Sequence, residues 1–149
     1  MQSGLRQRRP NNCQELALGT NPHHADTDGD GMNDGWEHLF RNPLVWNNPN
    51  ADPDSDGQTD LAESVAGTNP DNPNDYFRIT NIVRVGNTAT VTWTSVPGKF
   101  YDAWATTNLT GAAYQKLNSA PLPAAGTLTS FGDTNASPNT KFYRIQDRP

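Results

Sequence analysis

The second half of this chain alternates apolar and polar residues, and the first half does not. Over residues 88–94, TATVTWT, Ala89, Val91 and Trp93 fall on one side and Thr88, Thr90 and Thr92 on the other. A period of two marks an antiparallel strand with one face buried and one wet. Runs of the same kind, rich in Thr, Val and aromatics, lie at 77–85, 99–107, 113–118, 127–133 and 141–147. Turn chemistry separates them, including the proline-rich PLPAAG at 121–126 and NASPN at 135–139. The run at 99–107 points Tyr101, Ala103 and Ala105 inward and Asp102 and Trp104 outward. Trp104 is then either a contact for carbohydrate or protein, or a ring covered by a neighbouring segment. The pattern predicts an antiparallel β-sandwich over residues 76–149.

Before residue 76 the alternation is missing, and only short helices are expected. One spans about 34–41, and another covers 60–66 and stops at Gly67. A third, NCQELAL at 12–18, aligns with the second through NCQELALGTNP and DLAESVAGTNP. That alignment places Cys13 where Leu61 lies, as a small buried hydrophobe. Trp36, Leu39, Phe40, Leu44, Val45 and Trp46 are expected to form the one apolar cluster of this half. The segment NPDNPND at 69–75 reads as a linker, dividing the chain into residues 1–75 and 76–149.

The chemistry of the first half lies in its acids. In DTDGDGMNDGWE, residues 26–37, acids occupy positions one, three, five, nine and twelve: Asp26, Asp28, Asp30, Asp34 and Glu37. In DPDSDGQTDLAE, residues 52–63, the same positions hold Asp52, Asp54, Asp56, Asp60 and Glu63. Position six is Gly31 or Gly57, and position seven offers the carbonyl of Met32 or Gln58. This is the loop of EF-hand type, in which a hard cation gathers six to eight oxygens from a tightly curled backbone. Position twelve supplies two oxygens and position nine commonly acts through water. Asp/Gly runs also make ordinary turns, but five carboxylates in one loop with no cation among them repel one another. Two calcium sites are therefore expected.

True EF-hands have an entering helix, whereas both loops here follow proline-broken segments. The stretches ALGTNPHHADTDGDGMNDGWE (17–37) and ADPDSDGQTDLAESVAGTNP (51–70) resemble thrombospondin type 3 repeats in the form found in secreted and surface proteins of bacteria. Dockerins have a similar loop, but the irregular spacer RNPLVWNNPNA (41–51) suits them less well. The resemblance covers roughly residues 10–75. It implies an extended, calcium-stabilised repeat region with little conventional core, serving as spacer or adhesion element. Residues 12–22 fit the end of an earlier repeat whose loop has Arg6, Arg8 and Arg9 near it instead of acids, either a degenerate cap or a remnant. The stretches 95–111 and 133–145 resemble the β-sandwich tails of large secreted bacterial proteins, of fibronectin III or immunoglobulin type. The fold class expected is mainly β: a calcium-loop repeat region with short helices, then an antiparallel sandwich.

Composition narrows the function. With 33% hydrophobic residues among 149 and a mean hydropathy of −0.81, the chain is lean in core material and has no apolar span for a membrane. Its first residues lack the apolar stretch of a signal peptide, which predicts a mature form or a fragment. A single cysteine leaves no internal disulfide. His23, His24 and His38 have no zinc-ligand spacing and read as surface residues. Ten of the sixteen acids lie in the two loops, and the β-half keeps only Asp102, Asp133 and Asp147, with no histidine or cysteine. No catalytic set is expected, and three arginines beside an acidic module do not make a nucleic-acid site. Residues 1–75 carry thirteen acids and four Lys/Arg, net −9, while residues 76–149 carry three and seven, net +4. Opposite poles favour head-to-tail self-association into a fibre or surface array. The expectation is a non-enzymatic, extracellular structural or adhesion module. Its alternative is a carbohydrate- or protein-binding accessory tail of a larger secreted enzyme, with a cell-surface or glycan partner.

Overall fold

The computed structural model describes residues 12–45, 47–110, 113–136 and 140–148, and the chain divides into two compact units, Met1–Tyr76 and Phe77–Pro149. Trp46 and the arginines at 6, 8 and 9 lie outside the described residues.

Among the described residues the first unit has three helices of one length: α1 (Asn12–Leu18), α2 (Asp34–Phe40) and α3 (Asp60–Ala66). Local sequence starts and stops them. Asn33 caps α2 through the Gly35 amide, and Thr59 caps α3 through the Ala62 amide. Gly67 ends α3 at φ 79°, and Gly19 adopts φ 81° just after α1, left-handed positions that glycine takes without a Cβ penalty. These helices are inverted relative to the usual amphipathic pattern. They bury Asp34, Glu37, Asp60 and Glu63, and leave Leu16 69%, Leu39 47% and Val65 55% exposed.

Two sequence expectations are corrected by that inversion. Leu44 and Val45 are exposed with Leu39, so among the described residues the expected apolar cluster shrinks to Trp36, packed 5.4 Å from Phe40, with Met32 buried nearby in sequence. Cys13 is exposed rather than buried. Its counterpart Leu61 is itself 36% exposed: a seven-residue helix buries one narrow face, and positions 60 and 63 own it.

The described residues of the second unit form two antiparallel sheets. One runs β1 (Ile79–Val85), β2 (Thr88–Thr94), β6 (Leu128–Asp133). In the other, β3 (Phe100–Thr106) pairs with β7 (Phe142–Arg148) along its whole length and with the short β4 (Gln115–Lys116) and β5 (Leu122–Pro123). Residues of both sheets meet in one core: Val91, Trp93, Tyr101, Ala103, Ala124 and Ile145. The alternation of 88–94 and of 101–105 thus points inward as its period predicts. Strand β5 lies in a segment that reads as a turn. Its sequence is Leu-Pro at the end of a ladder, where a missing N–H is tolerated. The chain is mainly β, with two antiparallel sheets following a short helical region.

Candidate metal centres

Both acidic loops fold by the same local bonds. The Gly31 amide donates to Asp26 (2.9 Å) and the Met32 amide to Asp30 (2.9 Å). In the second loop the Gly57 amide donates to Asp52 (3.1 Å) and the Gln58 amide to Asp56 (2.7 Å). Each loop closes where position nine meets the residue before position one: Asp34 N to Ala25 O at 2.9 Å, Asp60 N to Ala51 O at 2.8 Å. Position six has φ 97° at Gly31 and 94° at Gly57. Alternate side chains are thereby gathered, and one carboxylate oxygen from each of Asp26, Asp28 and Asp30 lies within 4.8 Å of the others. Asp52, Asp54 and Asp56 make the same cluster.

Position twelve completes the picture. Glu37 and Glu63 are fully buried. One oxygen of Glu37 accepts from Asn47 Nδ2 (2.8 Å), and one of Glu63 from Thr68 Oγ1 (3.2 Å). The second oxygen of each has no partner. Burial first, then the charge of Asp30, pushes Glu37 up to about 8. Burial first, then Asp54 and Asp56 against a hydrogen bond from Thr68, pushes Glu63 up to about 7. Among the described residues, eight buried side-chain N or O atoms lack a partner, and six are carboxylate oxygens of these loops: from Asp28, Glu37, Asp52, Asp54, Asp56 and Glu63. Orphaned buried oxygens are uncommon because each loses its solvation without return. A hard divalent cation is the group that such an all-oxygen donor set fits.

Position nine behaves differently. Both oxygens of Asp34 accept from Thr27, one from its amide (2.8 Å) and one from its hydroxyl (2.9 Å). Both oxygens of Asp60 accept from Arg41, which lies outside the loop (Nε 2.8 Å, Nη2 3.0 Å). Met32 and Gln58 stand at position seven with their amides tied to Asp30 and Asp56. His23, His24 and His38 are all exposed.

Spacing within the loops could not reveal the residues that brace them from outside. Asn47 donates its amide to Asp30 (2.9 Å) and its side chain to Glu37. Trp36 Nε1 donates to Thr68 O (3.0 Å), and Thr68 in turn holds Glu63. The one available signal was the recurrence of Gly-Thr-Asn-Pro at 19–22 and 67–70, where Thr20 and Thr68 are both buried.

A family model described as Bacterial TSP3 repeat matches residues 26–38, the whole of the first loop and one residue beyond. That stretch is similar to a calcium-binding repeat that is structural rather than enzymatic, and the match extends neither to the second loop nor to the sheets. No curated protein and no solved structure matches the chain significantly.

In the second unit the outward face of β3 is covered by neighbours. Asp102 is 8% exposed and pairs with Lys116 (2.9 Å) and Arg148 (3.5 Å). Trp104 is half-buried, with the Arg144 guanidinium 5.5 Å from its ring centroid and 4.6 Å from that of Tyr114. Asp133 and Asp147 are paired with Lys141 (2.8 Å) and Lys99 (3.1 Å).

Proposed function

We propose that the first unit is a calcium-stabilised structural module with two cation sites, carried outside the cell as a spacer or adhesion element rather than an enzyme. The supporting observation is the set of six partnerless carboxylate oxygens in the two loops. Asp26, Asp28, Asp30 and Glu37 would hold one ion; Asp52, Asp54, Asp56 and Glu63 the other, with the carbonyls of Met32 and Gln58 at position seven. Bound calcium supplies the positive charge that lets these acids share a small space. The chain's part is to curl the loops, to bury Glu37 and Glu63, and to tie each closing glutamate through Asn47 or Thr68. Ion binding and folding of residues 12–75 are then one process. An affinity on the order of micromolar to millimolar fits loops of this kind. The segregated charge, −9 against +4, supports head-to-tail assembly as part of the same reading.

Calcium and chelator, compared by circular dichroism and limited proteolysis, test the module. Removing calcium is expected to open residues 12–75 to protease while the sheets persist. Protection of that half in chelator overturns the reading. Sedimentation across a calcium and salt series tests assembly, and a monomer throughout rules it out.

A second reading, an accessory tail that binds glycan or protein, is favoured by Arg144 held between Trp104 and Tyr114 on the outward sheet face. A stacked guanidinium suits an acidic partner better than a neutral sugar. Pull-down on acidic and neutral polysaccharides, with Trp104→Ala as control, decides it.

A further inference from the structure

The two loops keep the same acid at position nine by different means. In the first, Thr27 at position two supplies both donors to Asp34, an amide and a hydroxyl. In the second, position two is Pro53, which has neither. Yet Asp60 is 2% exposed, and a buried carboxylate without donors is not tolerated. The missing donors come from the other repeat. Arg41, the residue after α2, forks onto both Asp60 oxygens at 2.8 and 3.0 Å. Its remaining nitrogen is fixed by Phe40 O (2.8 Å) and Asp71 (3.3 Å).

Asp60 opens α3, and Glu63 follows one turn later, so whatever orients Asp60 orients the closing glutamate of the second loop. A second tie runs the same way: Trp36 of α2 bonds Thr68 O, and the Thr68 hydroxyl bonds Glu63. The first loop takes its outside support from Asn47 in the spacer.

We propose that Arg41 is the positioning residue of the second calcium site. It is a built-in cation that occupies the ninth carboxylate, keeps Asp60 out of the ion's shell, and makes the second site depend on the first repeat. The inference rests on the calcium reading above. Its consequence is directional: disturbing Arg41 weakens the second site and leaves the first alone.

The full chain, isotope-labelled, can be titrated with calcium while the Gly31 and Gly57 amide resonances report the two loops separately. For Arg41→Gln the Gly57 midpoint is expected to rise roughly 10–100-fold, the usual cost of losing an outer-sphere partner, with Gly31 within about twofold of wild type. Arg41→Lys keeps the charge and loses the fork, and is expected to fall between. Adding Pro53→Thr to Arg41→Gln restores the first loop's local donors and is expected to recover most of the loss, which a merely structural role of Arg41 would not allow. A Gly57 midpoint that is unchanged or tighter in Arg41→Gln overturns the proposal, since Asp60 would then be free to join the ion. Failure of Pro53→Thr to rescue overturns it too. If neither glycine responds in the wild-type chain, the calcium reading itself falls and takes this one with it.

Discussion

Ser55 is the one non-glycine among the described residues with a positive φ, 63°; its counterpart at position four of the first loop is Gly29, at 80°. A left-handed conformation costs a residue with a Cβ about 1–2 kcal/mol, and glycine's extra freedom in the unfolded chain returns roughly 0.5–1 kcal/mol of that. Ser55→Gly is therefore expected to stabilise the calcium-loaded first unit by up to about 1 kcal/mol, read as a higher melting temperature. Destabilisation would mean that the serine side chain contributes more than its backbone costs. At this scale the spacing foretold which acids converge, Asp26, Asp28 and Asp30 and likewise Asp52, Asp54 and Asp56, but not that Asp34 and Asp60 turn to Thr27 and Arg41 instead. Arg41, Asn47 and Thr68 were not read from the loop motif, because a brace that lies outside the twelve residues has no place in their spacing.

At the scale of elements, helix ends were legible and helix faces were not. Start and stop depend on local chemistry such as Thr59 and Gly67. The buried face depends on what the core is made of. A helix that turns Asp60 and Glu63 inward exposes Val65, and a rule that assigns aliphatic residues to the interior misplaces Leu39, Leu44 and Cys13. Among strands, the missed one is β5, and its neighbour shows why so short a piece persists. Between β4 and β5 the ladder on β3 is carried by Asn118. Its Oδ1 accepts from the Ala103 amide (2.8 Å), while Nδ2 donates to Asp102 (2.9 Å) and Ala120 O (2.8 Å). A side chain here substitutes for a strand. Asn118→Ala would leave the Ala103 amide unpaired, at about 1–3 kcal/mol for a buried group. A loss of that size is expected in urea unfolding followed by amide resonances of β2 and β3, and none is expected at the calcium loops.

At the scale of the whole molecule, the second unit's response to acid is set by its buried acids and their partners. Burial alone would raise Asp133, but Lys141, the Asn135 amide and Tyr143 outweigh it and hold the carboxyl below its ordinary 3.8. Asp102 is held low in the same sense by Lys116 and Asn118. A group depressed on folding stabilises the fold fully above its unfolded value. That contribution is lost as pH falls from about 3.8 through the lower folded value. The urea midpoint of the sheets is expected to be flat from neutral pH to about 5 and to fall below 4. Asp133→Asn should remove much of that slope and destabilise the unit by roughly 1–3 kcal/mol, the usual worth of hydrogen bonds to a charged group in a part-buried pair.

The division after Tyr76 also gives this chain an isoelectric point, near 4.9, that describes neither of its halves. Protease cleavage within residues 71–76 would yield fragments that migrate in opposite directions in a native gel at neutral pH, the first toward the anode and the second toward the cathode. Calcium in the running buffer should retard the anodic band alone, making a simple electrophoretic shift a count of ions held. If the second fragment also shifts with calcium, the metal is not confined to the first half.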